Sequence, residues 1–70
     1  MDNYKTVNLV VKLIENDLKK SDKNLNIKYD SVERMNTEGL ENFPELIVEK
    51  LEKQGYEVVW YEEWFTIIQE

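Results

Sequence analysis

The sequence predicts a single small α+β domain over residues 1–70, in which two helices pack on one face of a small, largely antiparallel sheet. Two segments carry apolar residues at helical spacing, and short alternating or β-branched runs follow each of them. An apolar fraction of 41%, with two tryptophans, indicates a folded core although 34% of the residues are charged. The predicted order of elements is α-β-α-β-β.

The first helix is predicted from Tyr4 to Leu18, and Asp2 or Asn3 is placed to cap it. Its apolar residues recur at steps of three and four: Tyr4, Val7, Val10, Val11, Ile14 and Leu18. A strand is the alternative for residues 5–14, because four apolar residues also alternate there: Val7, Leu9, Val11 and Leu13. We favour the helix, since the helical pattern persists through Leu18.

A short strand is predicted over residues 25–29, where apolar and polar residues alternate after a polar break at 21–24. Between residues 30 and 40 the pattern is weak. This weak pattern allows a short turn of helix over Val32 and Met35, and residues 36–39 are typical of a loop.

The second helix is predicted over residues 43–54. Asn42 is a favourable N-cap residue, Pro44 suits the first turn, and Glu45 is spaced to complete a capping box with Asn42. At the other end, Gly55 suits the left-handed residue that follows many helices, where the next residue packs back on the helix.

Two strands are predicted near the end of the chain, over residues 56–61 and 64–68. Glu62 and Glu63 lie between them and lack the Asn-Gly or Asp-Gly chemistry of a tight hairpin. A slightly longer turn from Tyr61 to Trp64 and a single bulged strand are both compatible with this pattern.

Negative charge is concentrated in the second half of the chain. Residues 1–35 carry six acidic and seven basic residues, whereas residues 36–70 carry nine acidic and two basic residues. Five of these glutamates recur at steps of three and four and predict an acidic ridge along one side of the second helix, which includes Glu38 if the helix extends toward the N-terminus: Glu38, Glu41, Glu45, Glu49 and Glu52. The alternative is that this ridge is only the solvated face of an amphipathic helix, partly compensated by Lys50 and Lys53.

The aromatic run after Gly55 is the second candidate binding feature. In one continuous strand, aromatic side chains would occupy both faces, so either a hairpin turn resets the alternation or some rings remain exposed. Exposed Trp and Tyr beside acidic residues are enriched at binding hot spots, whereas packing in the core is the alternative. The candidate partner-binding residues are therefore Glu38, Glu41, Glu45, Glu49, Glu52, Trp60, Tyr61, Glu62, Glu63 and Trp64.

Catalysis is not expected from this composition. The chain has no Cys and no His, which removes the thiol nucleophile and the commonest general base. Gly39 and Gly55 are too few to build a phosphate-binding loop, and Ser21 and Ser31 have no histidine to activate them. We therefore predict a non-enzymatic protein that uses no cofactor.

One metal-binding alternative remains. Residues 22–33 resemble an EF-hand calcium loop in ligand spacing, with oxygen-bearing side chains at the expected positions: Asp22, Asn24, Asn26, Asp30 and Glu33. The departure is Ile27, which stands where the sharp turn of that loop requires glycine. The same residues fit a polar loop leading into a strand.

The functional expectation is a binding module for another protein with a basic surface. No apolar stretch approaches the ~20 residues of a membrane span, and no secretory signal is evident, so we expect a cytoplasmic protein without membrane contact. A net charge of −6 disfavours direct binding to nucleic acid. A homodimeric interaction domain is the alternative.

In size and composition the chain resembles the small acidic proteins that bacteriophages and mobile elements use to disarm host nucleases, polymerases or defence complexes. The resemblance is one of class, since no motif identifies a family. It implies an inhibitor that occupies a basic groove which otherwise holds DNA or RNA.

Overall fold

The computed structural model describes residues 4–69. Three helices and three strands form in this order: α1 (Lys5–Lys19), β1 (Leu25–Lys28), α2 (Tyr29–Glu33), α3 (Phe43–Lys53), β2 (Glu57–Trp60) and β3 (Trp64–Ile68). The α+β class and the antiparallel sheet are confirmed. The weak helical signal after Tyr29 corresponds to α2, which begins directly where β1 ends. Within residues 4–69, no helix has the length and apolar character that crossing a bilayer requires.

The sheet has the strand order β1-β3-β2, and β3 is antiparallel to both of its neighbours. Phe65 lies opposite Ile27 on one side and opposite Trp60 on the other. Because side chains alternate along a strand, the register places one set of residues on the face covered by helices: Leu25, Ile27, Val58, Trp60, Phe65 and Ile67. Phe65 and Ile67 are completely buried in the core.

The helical stripe of α1 is confirmed, and the strand alternative for residues 5–14 is wrong. The stripe residues from Val7 to Leu18 pack on α3 and are buried in one core cluster that also contains Phe65 and Ile67, whereas Leu9 and Leu13 are 58% and 43% exposed. A strand would have placed Leu9 and Leu13 on the same face as Val7 and Val11. The burial therefore follows the helical period.

The C-terminal end of α3 has the predicted geometry. Gly55 adopts a φ of 98°, and its N–H donates to the carbonyl oxygen of Glu52 at 3.0 Å. The N–H of Tyr56 donates to the carbonyl oxygen of Leu51 at 3.1 Å. These two bonds form a Schellman motif, which directs the chain back toward the sheet and starts β2.

The N-terminal end of α3 differs from the prediction. Asn42 adopts left-handed angles, with φ 55° and ψ 40°, and its side chain makes no capping hydrogen bond. A capping box requires an extended residue at this position, so the predicted pairing of Asn42 with Glu45 is wrong. Asn tolerates the left-handed region better than most residues, which explains its place at this sharp entry into the helix.

The N-terminal end of α1 is capped from a distant loop. The N-cap residue is Tyr4, whose side chain makes no capping bond, and the first turn contains no acidic residue. Glu38 supplies the missing acceptor: its Oε1 accepts the backbone N–H of Thr6 at 2.8 Å and the Thr6 hydroxyl at 2.5 Å. The predicted caps Asp2 and Asn3 lie outside the described residues. A carboxylate at this end also complements the helix dipole.

The loop that carries Glu38 is closed by Asn36. The Asn36 side chain donates to the carbonyl oxygen of Leu40 at 2.8 Å and accepts the Leu40 N–H at 2.9 Å. The loop is therefore fixed while Glu38 reaches Thr6. The continuation of the acidic ridge to Glu38 along the helix is wrong, because residues 36–42 form turns and irregular loop outside α3 and Glu38 binds α1.

The contact between Glu38 and Thr6 makes stability depend on pH. Hydrogen bonds from the Thr6 side chain and backbone, with the charge of Lys5, hold the pKa of Glu38 below its ordinary value of 4.5, although desolvation opposes them. Because the pKa of Glu38 is lower in the folded than in the unfolded chain, its hydrogen bonds to Thr6 stabilise the fold fully above pH 4.5. This stabilisation is lost as the pH falls through the pKa that Glu38 has in the folded protein. We expect Glu38→Gln to lower the melting temperature at neutral pH and to flatten its decline in acid.

Thermal unfolding followed by circular dichroism between neutral pH and acid measures both effects. Glu41→Gln is the matched control, because Glu41 is exposed and makes no hydrogen bond among the described residues. Identical pH profiles for the Glu38→Gln and Glu41→Gln proteins would contradict the assignment.

Candidate protein-binding groove

The β2–β3 hairpin places the two tryptophans on opposite sides of the sheet. Tyr61 and Trp64 continue the strand register, with the Tyr61 N–H donating to the Trp64 carbonyl oxygen at 2.9 Å. Glu62 and Glu63 alone form the turn, and neither has a positive φ, so the turn is not of the primed types usual in tight hairpins. The turn resets the alternation: Trp60 shares the helix-covered face with Phe65, whereas Trp64 lies on the other face.

Tyr29 holds this hairpin in place. Its N–H donates to the carbonyl oxygen of Glu63 at 3.1 Å, and its hydroxyl donates to the carbonyl oxygen of Tyr61 at 2.5 Å. Its ring centroid lies 5.8 Å from that of Trp60 and 6.2 Å from that of Phe65. Tyr29 was not among the predicted site residues, because no local pattern indicates a contact with a turn 32 residues later in the chain.

An open groove of about 590 Å³ runs between α2, the start of α3 and the hairpin. We call it the acidic–aromatic groove and define it by the residues that line it: Tyr29, Glu33, Pro44, Glu45, Trp60, Tyr61 and Glu62. Four of them are predicted partner-binding residues: Glu45, Trp60, Tyr61 and Glu62. Trp60 and Tyr61 are 44% and 48% exposed, so each presents a large aromatic surface to solvent.

The carboxylates of this groove are not neutralised by the rest of the described chain. Glu33, Glu45 and Glu62 come from three different elements, and within residues 4–69 none of them forms an ion pair. Glu33 accepts a long hydrogen bond of 3.4 Å from the Asn36 amide. The arrangement combines a negative potential with exposed aromatic rings, which suits a cationic ligand.

The acidic ridge predicted along α3 is divided by the fold. Glu45 enters the groove, whereas Glu49 lies 3.4 Å from Lys53 and lines a second depression between α1 and α3. Glu52 and Glu41 are exposed and line neither depression. Four of the five ridge residues are therefore separated from the exposed aromatic rings.

Two further predicted residues lie beside the groove. Glu63 is exposed in the turn, and its carbonyl oxygen is bound by Tyr29. Trp64 stacks on Tyr61, with ring centroids 5.0 Å apart and planes 19° apart. This stack supports the Tyr61 ring, which lines the groove.

In the segment with EF-hand-like spacing, residues 25–28 form the strand β1 and not a loop. Asn24 accepts the Gln69 N–H at 2.9 Å, and Asn26 accepts the Thr66 hydroxyl at 2.7 Å. Over residues 4–69, no group of three or more Asp, Glu, His or Cys side chains is arranged to hold a metal ion. The spacing that resembles an EF-hand therefore does not produce its geometry.

The chain matches no known protein family, no curated protein and no solved structure. Any functional conclusion therefore depends on the residues and the geometry of the groove.

The hydrogen bond from the Tyr29 hydroxyl to the hairpin can be tested by removing the hydroxyl oxygen. Tyr29→Phe keeps the ring contacts and deletes the hydrogen bond to Tyr61, so we expect a loss of about 1 kcal/mol in unfolding free energy. Amide exchange in the hairpin turn should also accelerate. Urea denaturation and hydrogen exchange measure the two effects.

Tyr56→Phe is the control, because the Tyr56 hydroxyl makes no hydrogen bond among the described residues although its ring packs on the core. Equal losses of stability in the two variants would show that the hydroxyl of Tyr29 has no special role.

Proposed function

We propose that the protein is a protein-binding module whose acidic–aromatic groove accepts a basic segment of a partner protein. The observation that carries the proposal is the position of Trp60 and Tyr61, half exposed beside Glu33, Glu45 and Glu62. The role is one of binding and includes no catalytic step.

The chemistry of the groove favours arginine and lysine side chains. A cation placed over the face of Trp60 or Tyr61 is attracted by the ring, at about 0.5–2 kcal/mol for one contact. A carboxylate nearby accepts charge-assisted hydrogen bonds, and a guanidinium can bind it through two parallel bonds. Ring and carboxylate together therefore recognise both the flat surface and the charge of an arginine.

The net charge extends this preference beyond the groove. With a charge of −6, and with Glu41, Glu52 and Glu63 exposed outside the groove, the protein attracts positively charged surfaces over a distance. Such surfaces are typical of proteins that hold DNA or RNA. Bound to one of them, the protein would act as an inhibitor, because it would exclude nucleic acid from that surface.

An oligoarginine peptide is a suitable probe of the groove. In an NMR titration we expect shifts of the Trp60 indole N–H and of the amides of Glu45 and Tyr61, and weaker binding as salt is added. Glu45→Lys and Glu62→Lys should each weaken binding about tenfold, because each replaces an attraction by a repulsion beside the rings.

Glu52→Lys is the matched control, since it makes the same charge change on the same helix outside the groove. We expect it to weaken binding by less than about threefold. If Glu52→Lys were as harmful as Glu45→Lys, the peptide would be responding to net charge alone. Unchanged binding after both groove reversals would exclude the groove as the site.

A further inference from the structure

The face of the sheet opposite the helices is partly apolar and uncovered. The register places these residues on it: Asn26, Lys28, Glu57, Val59, Tyr61, Trp64, Thr66 and Ile68. We call this surface the open face. Val59, Trp64 and Ile68 are half-buried, yet they do not belong to the core cluster that the helices cover. Their apolar surface faces solvent within the described chain.

The open face is fixed in shape by its own contacts. The Trp64 indole N–H donates to the Thr66 hydroxyl oxygen at 3.2 Å, and this hydroxyl donates to Asn26 at 2.7 Å. Tyr61 stacks on Trp64 at its side. The large rings are therefore held before any partner arrives, which lowers the entropy cost of binding.

The charges of the open face lie at two diagonal corners. Lys28 is opposite Trp64 on one edge strand, and Glu57 is opposite Ile68 on the other. Two strand spacings and four residues separate them, so their backbones are roughly 16 Å apart. Neither side chain has an ion-pair partner within residues 4–69.

We propose that the open face binds a second copy of this chain. In this dimer the open faces of the two copies are opposed, and a two-fold axis runs between them, parallel to both sheets. When the axis is also perpendicular to the line from Lys28 to Glu57, Lys28 of each copy lies over Glu57 of the other. The same operation brings Trp64 of one copy toward Val59 of the other. The surface is thus complementary to itself in both charge and apolar character.

The size of the face sets the strength of the dimer. Three strands of about five residues offer roughly 250 Å² of flat surface on each copy, well below the ~800 Å² per partner of a stable interface. The dimer therefore forms at high protein concentration and dissociates on dilution. The open face shares Tyr61 with the acidic–aromatic groove, but the residues that carry the dimer proposal, Lys28, Glu57 and Val59, do not line the groove.

Sedimentation and NMR spectra of the intact protein over a concentration series from ~10 μM to ~1 mM test the proposal. We expect the average mass to rise toward that of a dimer, with shifts at Val59, Ile68 and the Trp64 indole N–H. A monomer at every concentration would overturn it. Concentration-dependent shifts confined to Glu33, Glu45 and Trp60 would also overturn it, because they would place self-association in the groove.

Charge exchange tests the geometry of the dimer. Lys28→Glu and Glu57→Lys should each weaken the dimer about tenfold, because each places like charges over one another. The dissociation constant of the dimer formed by the double variant K28E/E57K should return to within about threefold of that of the parent. The reason is that each pair again joins opposite charges, with the two charges exchanged. A double variant no stronger than the single variants would overturn the arrangement.

Matched controls separate this pairing from net charge. Lys12→Glu and Glu52→Lys make the same charge changes at exposed positions of α1 and α3, away from the open face. We expect both to leave the dimer within about threefold of the parent. Circular dichroism confirms that each variant is folded. The specific pairing would be excluded if Lys12→Glu weakened the dimer as much as Lys28→Glu, or if Glu52→Lys weakened it as much as Glu57→Lys.

Discussion

The register of β3 is the constraint on which the rest of the structure depends. β3 pairs with both other strands, and the side chains of Phe65 and Ile67 are the part of the sheet on which the helices pack. A shift of one residue would turn Trp64, Thr66 and Ile68 toward the helices and expose the centre of the core. The groove and the open face both follow from this register, because it assigns Trp60 to one side and Trp64 to the other.

The small size of the domain explains why aromatic surface remains exposed. Within residues 4–69, the helices cover the three-stranded sheet on one face only, and no second layer covers the other. Trp60 lies at the rim of the covered face and packs on Tyr29 and Phe65 without being enclosed. The exposed rings thus result from the architecture, and three carboxylates line the same groove as Trp60, as the proposed binding of a cationic segment requires.

The carboxylates have distinct structural roles although they look alike along the sequence. Glu38 caps a helix, Glu49 pairs with Lys53 on its own helix, and Glu45 lines the groove. Their spacing of three and four predicted one ridge, but that inference assumed one continuous helix from residue 38. Asn42 adopts left-handed angles, so α3 begins only at Phe43. The loop that precedes it directs Glu38 toward α1.

The sequence by itself determined the fold class, both long helices, the Schellman end at Gly55 and the positions of the strands. Each of these depends on periodicity or on the conformational preference of one residue, and such signals are local. Only the tertiary structure decided that Glu38 caps α1, that Tyr29 binds the hairpin turn and that Glu33, Glu45 and Glu62 line one groove. These arrangements involve residues distant in the chain, and the packing that produces them leaves no pattern in neighbouring residues.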